Sequence, residues 1–154
     1  MRKKIGNGLT MPLFVSAGLL LGGITSALAT EVTVYKTEYC GCCDGWVDHA
    51  KQAGFEVTAK NVEHAELFQL KEEAGLDAGL ASCHTTFVDG YLIEGHVPAD
   101  AIARLLEEQP DVIGLTAPGM PQNSPGMIEG DTFSGFDVLA VDRRGDTTVF
   151  ARYE

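Results

Sequence analysis

Three of the chain's four cysteines fall within Cys40-Gly41-Cys42-Cys43, and that stretch stands where one hydrophobic period gives way to another. Before it, Glu31 to Lys36 alternates polar residues with β-branched Val32 and Val34, the period of a half-buried strand. After it, Trp46, Val47 and Ala50 recur on one helical face from Cys42 to Ala53, and Gly54 follows as a stop. A strand that turns into a helix through three cysteines leaves soft, reactive sulfur at the surface, where packing alone gives it no reason to be. Alternation resumes with Phe55, Val57 and Ala59, predicting a second strand over 55–62, and Leu67, Phe68 and Leu70 predict a second helix over 65–74. Strands joined through a crossover helix run parallel, so the cysteine turn belongs at the C-terminal end of the first strand.

Beyond Gly79 the fourth cysteine, Cys83, is followed directly by His84. Thr85-Thr86-Phe87-Val88 and Tyr91-Leu92-Ile93-Glu94 flank Asp89-Gly90, a strong two-residue hairpin signal. Gly95-His96-Val97-Pro98 leads into a third helix from Ala99 to Glu108, with Ile102, Leu105 and Leu106 as its stripe and Pro98 suited to its first turn. The segment 116–132, with Pro118-Gly119-Met120-Pro121 and Ser124-Pro125-Gly126-Met127, reads as a long loop with little room for regular structure. Phe136 to Val141 and Thr147 to Tyr153 enclose Arg143-Arg144-Gly145-Asp146 as a second hairpin.

The N-terminus reads as an address. Arg2, Lys3 and Lys4 precede an apolar run from Met11 to Ile24, and Ala27-Leu28-Ala29 supplies a small-residue cleavage pattern, so residues 1–29 are expected to be a secretory signal peptide. The apolar run is about 14 residues and carries Pro12, short of the ~20 that span a bilayer. Residues 30–154 then form one domain, expected to be periplasmic and without stable membrane insertion once the leader is removed. Taking the leader's three cations from a net charge of −11 leaves −14. So acidic a domain repels phosphate backbones and anionic lipid, which argues against nucleic acid and membrane-surface binding; it is compatible with cationic partners such as metal ions, although taken alone the charge is better read as a solvated, repulsive surface that keeps an exported protein soluble.

The order βαβα, β-hairpin, α, with cysteines at the first strand-to-helix junction, resembles the thioredoxin-like fold, an α/β class with a mixed sheet; here it carries a C-terminal loop and an extra hairpin. In that fold the loop entering the third core strand packs against the cysteine turn. The resemblance therefore implies that Cys83 and His84 approach Cys40 and Cys43. Cys40 and Cys43 alone form a C-x-x-C pair suited to thiol–disulfide exchange, since a helix N-terminus stabilises the thiolate. Cys42, Cys83 and His84 exceed what exchange needs. Four thiolates and an imidazole are a good set for Cu(I) or Zn(II), and adjacent Cys42 and Cys43, poorly placed to chelate one tetrahedral ion, are suited to bridging several coppers. Zinc ranks below copper, because zinc sites rarely place two ligands side by side. Two structural disulfides, Cys40–Cys43 with Cys42–Cys83 or a permutation, are the remaining alternative.

Further candidates are Met120 and Met127, whose thioethers suit Cu(I) on a loop draped over the site, and His96, for which a hydrogen bond to backbone is favoured over ligation. His49 and His64 are expected at the surface, and Trp46 and Phe55 in the core, with Trp46 also placed to wall the site. The runs Val34 to Cys43, Ala81-Ser82-Cys83-His84-Thr85, Ile93-Glu94-Gly95-His96-Val97-Pro98 and Pro118-Gly119-Met120-Pro121 resemble the CopG-type family of exported copper-associated proteins across nearly all of the chain beyond the leader. The resemblance implies copper bound through bridging thiolates of Cys40, Cys42, Cys43 and Cys83 with His84, and a role in copper resistance; other periplasmic copper-handling or redox proteins are the expected protein partners. The reading is a copper-binding protein that holds Cu(I), several ions per chain, for sequestration, transfer or redox conversion; the alternative is an enzyme, a thiol–disulfide or copper-linked oxidoreductase.

Overall fold

The computed structural model describes residues 29–154. The expected leader, apart from Ala29, lies outside them. The chain runs β1 (Glu31–Lys36), α1 (Gly41–Gln52), β2 (Glu56–Asn61), α2 (His64–Glu73), a 3-10 turn (Ala78–Leu80), β3 (Thr85–Val88), β4 (Tyr91–Gly95), α3 (Ala99–Glu108), β5 (Gly114–Ala117), β6 (Phe136–Val141) and β7 (Thr147–Tyr153). All strands join one mixed sheet in the order β2-β1-β3-β4-β5-β6-β7. β1 runs parallel to β2, as the crossover requires, and β4 runs parallel to β5 across α3; the other neighbours are antiparallel. Among the described residues no helix is long and apolar enough to cross a membrane.

One correction concerns the segment expected to be loop from residue 116. Gly114–Ala117 is a strand that bridges β4 and β6, so the C-terminal hairpin extends the same sheet. Four residues led by a glycine give no readable alternation. The glycine is itself required, because a Cβ at Gly114 would lie 1.7 Å from the Leu92 carbonyl oxygen.

Alternation along the strands separates two cores. Val32, Val34, Ile93, Leu115 and Val138 pack with Trp46, Val47 and Ala50 of α1 and Ile102 and Leu105 of α3, whereas Leu92 and Val141 pack with Leu76 beyond α2. Adjacent Leu92 and Ile93 thus face opposite sides of the sheet, as the pleat dictates. Cys43 heads the buried stripe of α1, followed at helical spacing by Trp46, Val47 and Ala50. Lys36 occupies the next inward position of β1 after Val32 and Val34, so this strand's apolar face ends in a buried cation. His64 opens α2 on an exposed surface, and Phe55 packs against the larger core.

His49 is the second correction. It is half-buried, and its Nε2 accepts the Ala99 backbone N–H at 3.0 Å. Pro98 stands at the N-cap of α3 and has no side-chain acceptor to offer, so a histidine from α1 satisfies the first orphan donor of the helix. Burial pushes the His49 pKa down, against the opposing pull of Asp131 and Asp100. The unfolded chain therefore binds this proton more readily, and the stability contributed by neutral His49 is full above the ordinary histidine pKa of 6.5 and lost as pH falls below it. Thermal unfolding followed from about pH 7.5 to about pH 5.5 should show a larger loss of stability for the wild type than for His49→Gln, whose amide oxygen accepts the same N–H without titrating.

Candidate metal centre

The C-terminal end of β1 and the first turn of α1 carry Cys40, Cys42 and Cys43. β3 runs antiparallel to β1 with Thr85 opposite Tyr35, so the chain entering β3 delivers Cys83 and His84 to that same end. The Sγ atoms of Cys40, Cys42, Cys43 and Cys83 all lie within 4.8 Å of one another. Cys42 Sγ is 3.6 Å from Cys40 Sγ and 4.0 Å from Cys83 Sγ. Cys40 and Cys43 are joined in a disulfide, while Cys42 and Cys83 are free thiols. The pairing expected of a purely structural arrangement is thus half present.

A second group shares Cys83. Ligand atoms of Cys83, His84 and His96 also lie within 4.8 Å of one another. His96 Nε2 is 2.9 Å from Cys83 Sγ, and His84 Nδ1 is 3.6 Å from it. The backbone hydrogen bond expected of His96 is present as well, its Nδ1–H donating to the Pro125 carbonyl at 2.7 Å. That bond selects the tautomer: Nε2 of the neutral ring keeps its lone pair and accepts the Cys83 S–H. A metal would meet the same lone pair.

His96 was legible by counting. Stepping outward from Asp89-Gly90 pairs Val88 with Tyr91 and Thr85 with Glu94, as observed, and two further steps bring Cys83 opposite His96. The buried charges could not be read this way. Lys36 is 5% exposed, with its Nζ 2.9 Å from Asp44 in the first turn of α1. Glu94 is fully buried with Lys71.

The electrostatics keep the nitrogen donors unprotonated. Burial holds His84 well below the ordinary histidine range, and His96, Lys71 and Lys36 add like-charge repulsion. Burial also lowers His96, against the hydrogen bond to Pro125. Burial and the neighbouring Cys42 push the Cys83 thiol up to about 12, so this sulfur is a protonated thiol until something competes for its proton. His84 has no exposed surface and its Nε2 has no hydrogen-bond partner. An orphaned buried ring nitrogen is costly unless a partner completes it, and it is the other nitrogen of the ring, Nδ1, that faces Cys83 Sγ. The Trp46 ring, 4.7 Å from that of His84 and anchored by an Nε1–H bond to the Val97 carbonyl, walls this side as expected.

The loop after β5 folds back over the site through its backbone. Gly119 N–H donates to the Ala81 carbonyl at 3.1 Å, Pro125 receives His96, and Gly126 rests on the first turn of α1. Gly126 has φ +82, and a Cβ there would lie 2.4 Å from Cys42 O and 2.5 Å from Trp46 N. Gly126→Ala is therefore expected to destabilise by about 2 kcal/mol or more, measured by urea denaturation, since both the backbone conformation and the space are lost. Met120 is 54% exposed, and Met127 is half-buried in a neighbouring cleft of about 540 Å³ with Gly45, Asp48 and His49.

Two solved structures are similar to the chain. One, described as copper resistance protein CopG, Form 2, is 38% identical with a TM-score of 0.74, covering 82% of this chain and 100% of that one. The other, Form 1 of the same description, is 36% identical with a TM-score of 0.74, covering 82% of this chain and 98% of that one. The family described as a protein of unknown function, DUF411, matches residues 80–127, the segment from the turn before Cys83 to Met127. No curated protein matches the chain.

Proposed function

Because the chain belongs to the CopG family of copper resistance proteins, we propose that it is an exported, periplasmic copper-binding protein that holds Cu(I) on Cys40, Cys42, Cys43, Cys83 and His84, with His96 as a further ligand. The observation that carries the reading is the meeting of two donor groups at Cys83: four sulfurs on one side, two imidazoles on the other. Soft sulfur selects Cu(I) over harder ions, and a sulfur common to two groups is suited to bridging neighbouring coppers. Opening all four thiols requires two electrons and two protons delivered to the Cys40–Cys43 disulfide by a dithiol reductant; copper binding then releases the thiol protons. The strand order β2-β1-β3-β4 with cysteines at the β1–α1 junction supports a thioredoxin-like core for this chemistry. Met120 and Met127 are further candidates for thioether ligation from the covering loop.

A competition titration tests the selectivity. Reduced protein should take Cu(I) from a chromogenic chelator and retain it in the presence of excess Zn(II); displacement of copper by zinc would overturn the assignment. The disulfide at a helix N-terminus supports a second reading, thiol–disulfide oxidoreductase. Insulin reduction at a rate comparable with thioredoxin would favour it, and Cu(I) capture without such activity would favour storage or transfer.

A further inference from the structure

Glu94 has no exposed surface, and the ligand set gives it no part. Both oxygens of its carboxylate nevertheless accept hydrogen bonds. Oε1 accepts the Ser82 backbone N–H at 2.6 Å and the Lys71 ammonium at 2.5 Å, and Oε2 accepts the Thr85 hydroxyl at 2.8 Å. Lys71, 7% exposed, also donates to Thr85 Oγ1 at 2.7 Å. A cation from α2 and an anion from β4 have thus been taken out of water together. A buried ion pair is a weak source of stability, since apolar residues of similar volume often replace it without loss.

Its position suggests another use. Ser82 precedes Cys83, and Glu94 stands two residues before His96 on β4. One carboxylate therefore ties the backbone that carries the thiol to the strand that leads into the imidazole. The side chain of the same residue is tied to the covering loop, where Ser82 Oγ donates to the Gly119 carbonyl. Directly after this twice-anchored residue, Cys83 Sγ lies 2.9 Å from His96 Nε2. We propose that Glu94, neutralised by Lys71, is a positioning residue for metal capture, fixing the Ser82 N–H so that Cys83 is presented to both donor groups at once. The inference rests on the copper-binding reading of the site.

Two double variants test it. Glu94→Leu with Lys71→Met removes both charges and the acceptor for Ser82 N–H. Glu94→Gln with Lys71→Met removes the charges and keeps an amide oxygen for that N–H. With a native circular dichroism spectrum, the first is expected to lose about tenfold or more in Cu(I) affinity, the usual cost of losing a group that orients a ligand, and the second to stay within about threefold of wild type. In metal-free protein with the Cys40–Cys43 disulfide intact, alkylation of Cys83 by iodoacetamide, mapped by mass spectrometry against Cys42, should rise severalfold in the first variant alone. Unchanged affinity and alkylation in a folded Glu94→Leu, Lys71→Met variant would overturn the proposal. Should that variant not fold, the second decides: a tenfold loss of affinity in a folded Glu94→Gln, Lys71→Met protein overturns it, and retention supports it. Absence of Cu(I) binding by the wild type would sink the copper reading instead, while the alkylation readout would still decide the role of Glu94.

Discussion

Replacing Cys83 with serine is expected to cost more copper than any other single change at the site, lowering Cu(I) affinity about 100-fold or more and reducing the number of ions held. The reason is geometric. Cys83 is the residue common to the four-sulfur group and to the group containing His84 and His96, so its loss breaks both. Serine preserves the size of the side chain and places a harder oxygen where soft sulfur stood. His96→Ala removes one nitrogen from only one of the two groups and should cost about tenfold. Equal losses for the two variants, measured by chelator competition on reduced protein, would mean that the centre is not shared through Cys83.

Reduction of the Cys40–Cys43 disulfide should produce the second large effect, a rise in the number of Cu(I) ions bound per chain. With the disulfide closed, two of the four sulfurs are withdrawn and the free donors of the proposed set are Cys42, Cys83, His84 and His96. Disulfide sulfur lacks the thiolate charge that makes sulfur a strong copper ligand. Titration of oxidised and fully reduced protein in parallel, without oxygen, should therefore give a lower copper count for the oxidised form. Equal counts would show that Cys40 and Cys43 are not ligands, and would shift weight towards thiol–disulfide exchange.

The parts of the fold that could be read from the chain are those with local causes. Val32 and Val34 mark β1, Asp89-Gly90 and Arg143-Arg144-Gly145-Asp146 mark the two hairpins, and Ile102 with Leu105 marks α3; the structure places each there. β5 was hidden because Gly114 to Ala117 owes its conformation to β4 and β6 on either side, one reached across α3 and the other beyond a long loop. The four cysteines and His84 were visible as residue types suited to soft metals, and the antiparallel pairing of β1 with β3 brings them together. His49 was misplaced at the surface because its partner, the Ala99 N–H, is a backbone donor that no side-chain pattern reveals. Lys36, Lys71 and Glu94 were hidden for a different reason. Charged side chains are ordinarily assigned to solvent, and each is buried here only because a partner from another element meets it.

The most direct test is the copper content of the protein isolated without oxygen from copper-treated cells, with metal counted per chain by elemental analysis and thiols counted on the same sample. The expected result is more than one copper per chain with Cys40, Cys42, Cys43 and Cys83 all reduced. Less than one copper per chain, with all four thiols oxidised, would contradict the assignment of these residues to a shared copper centre.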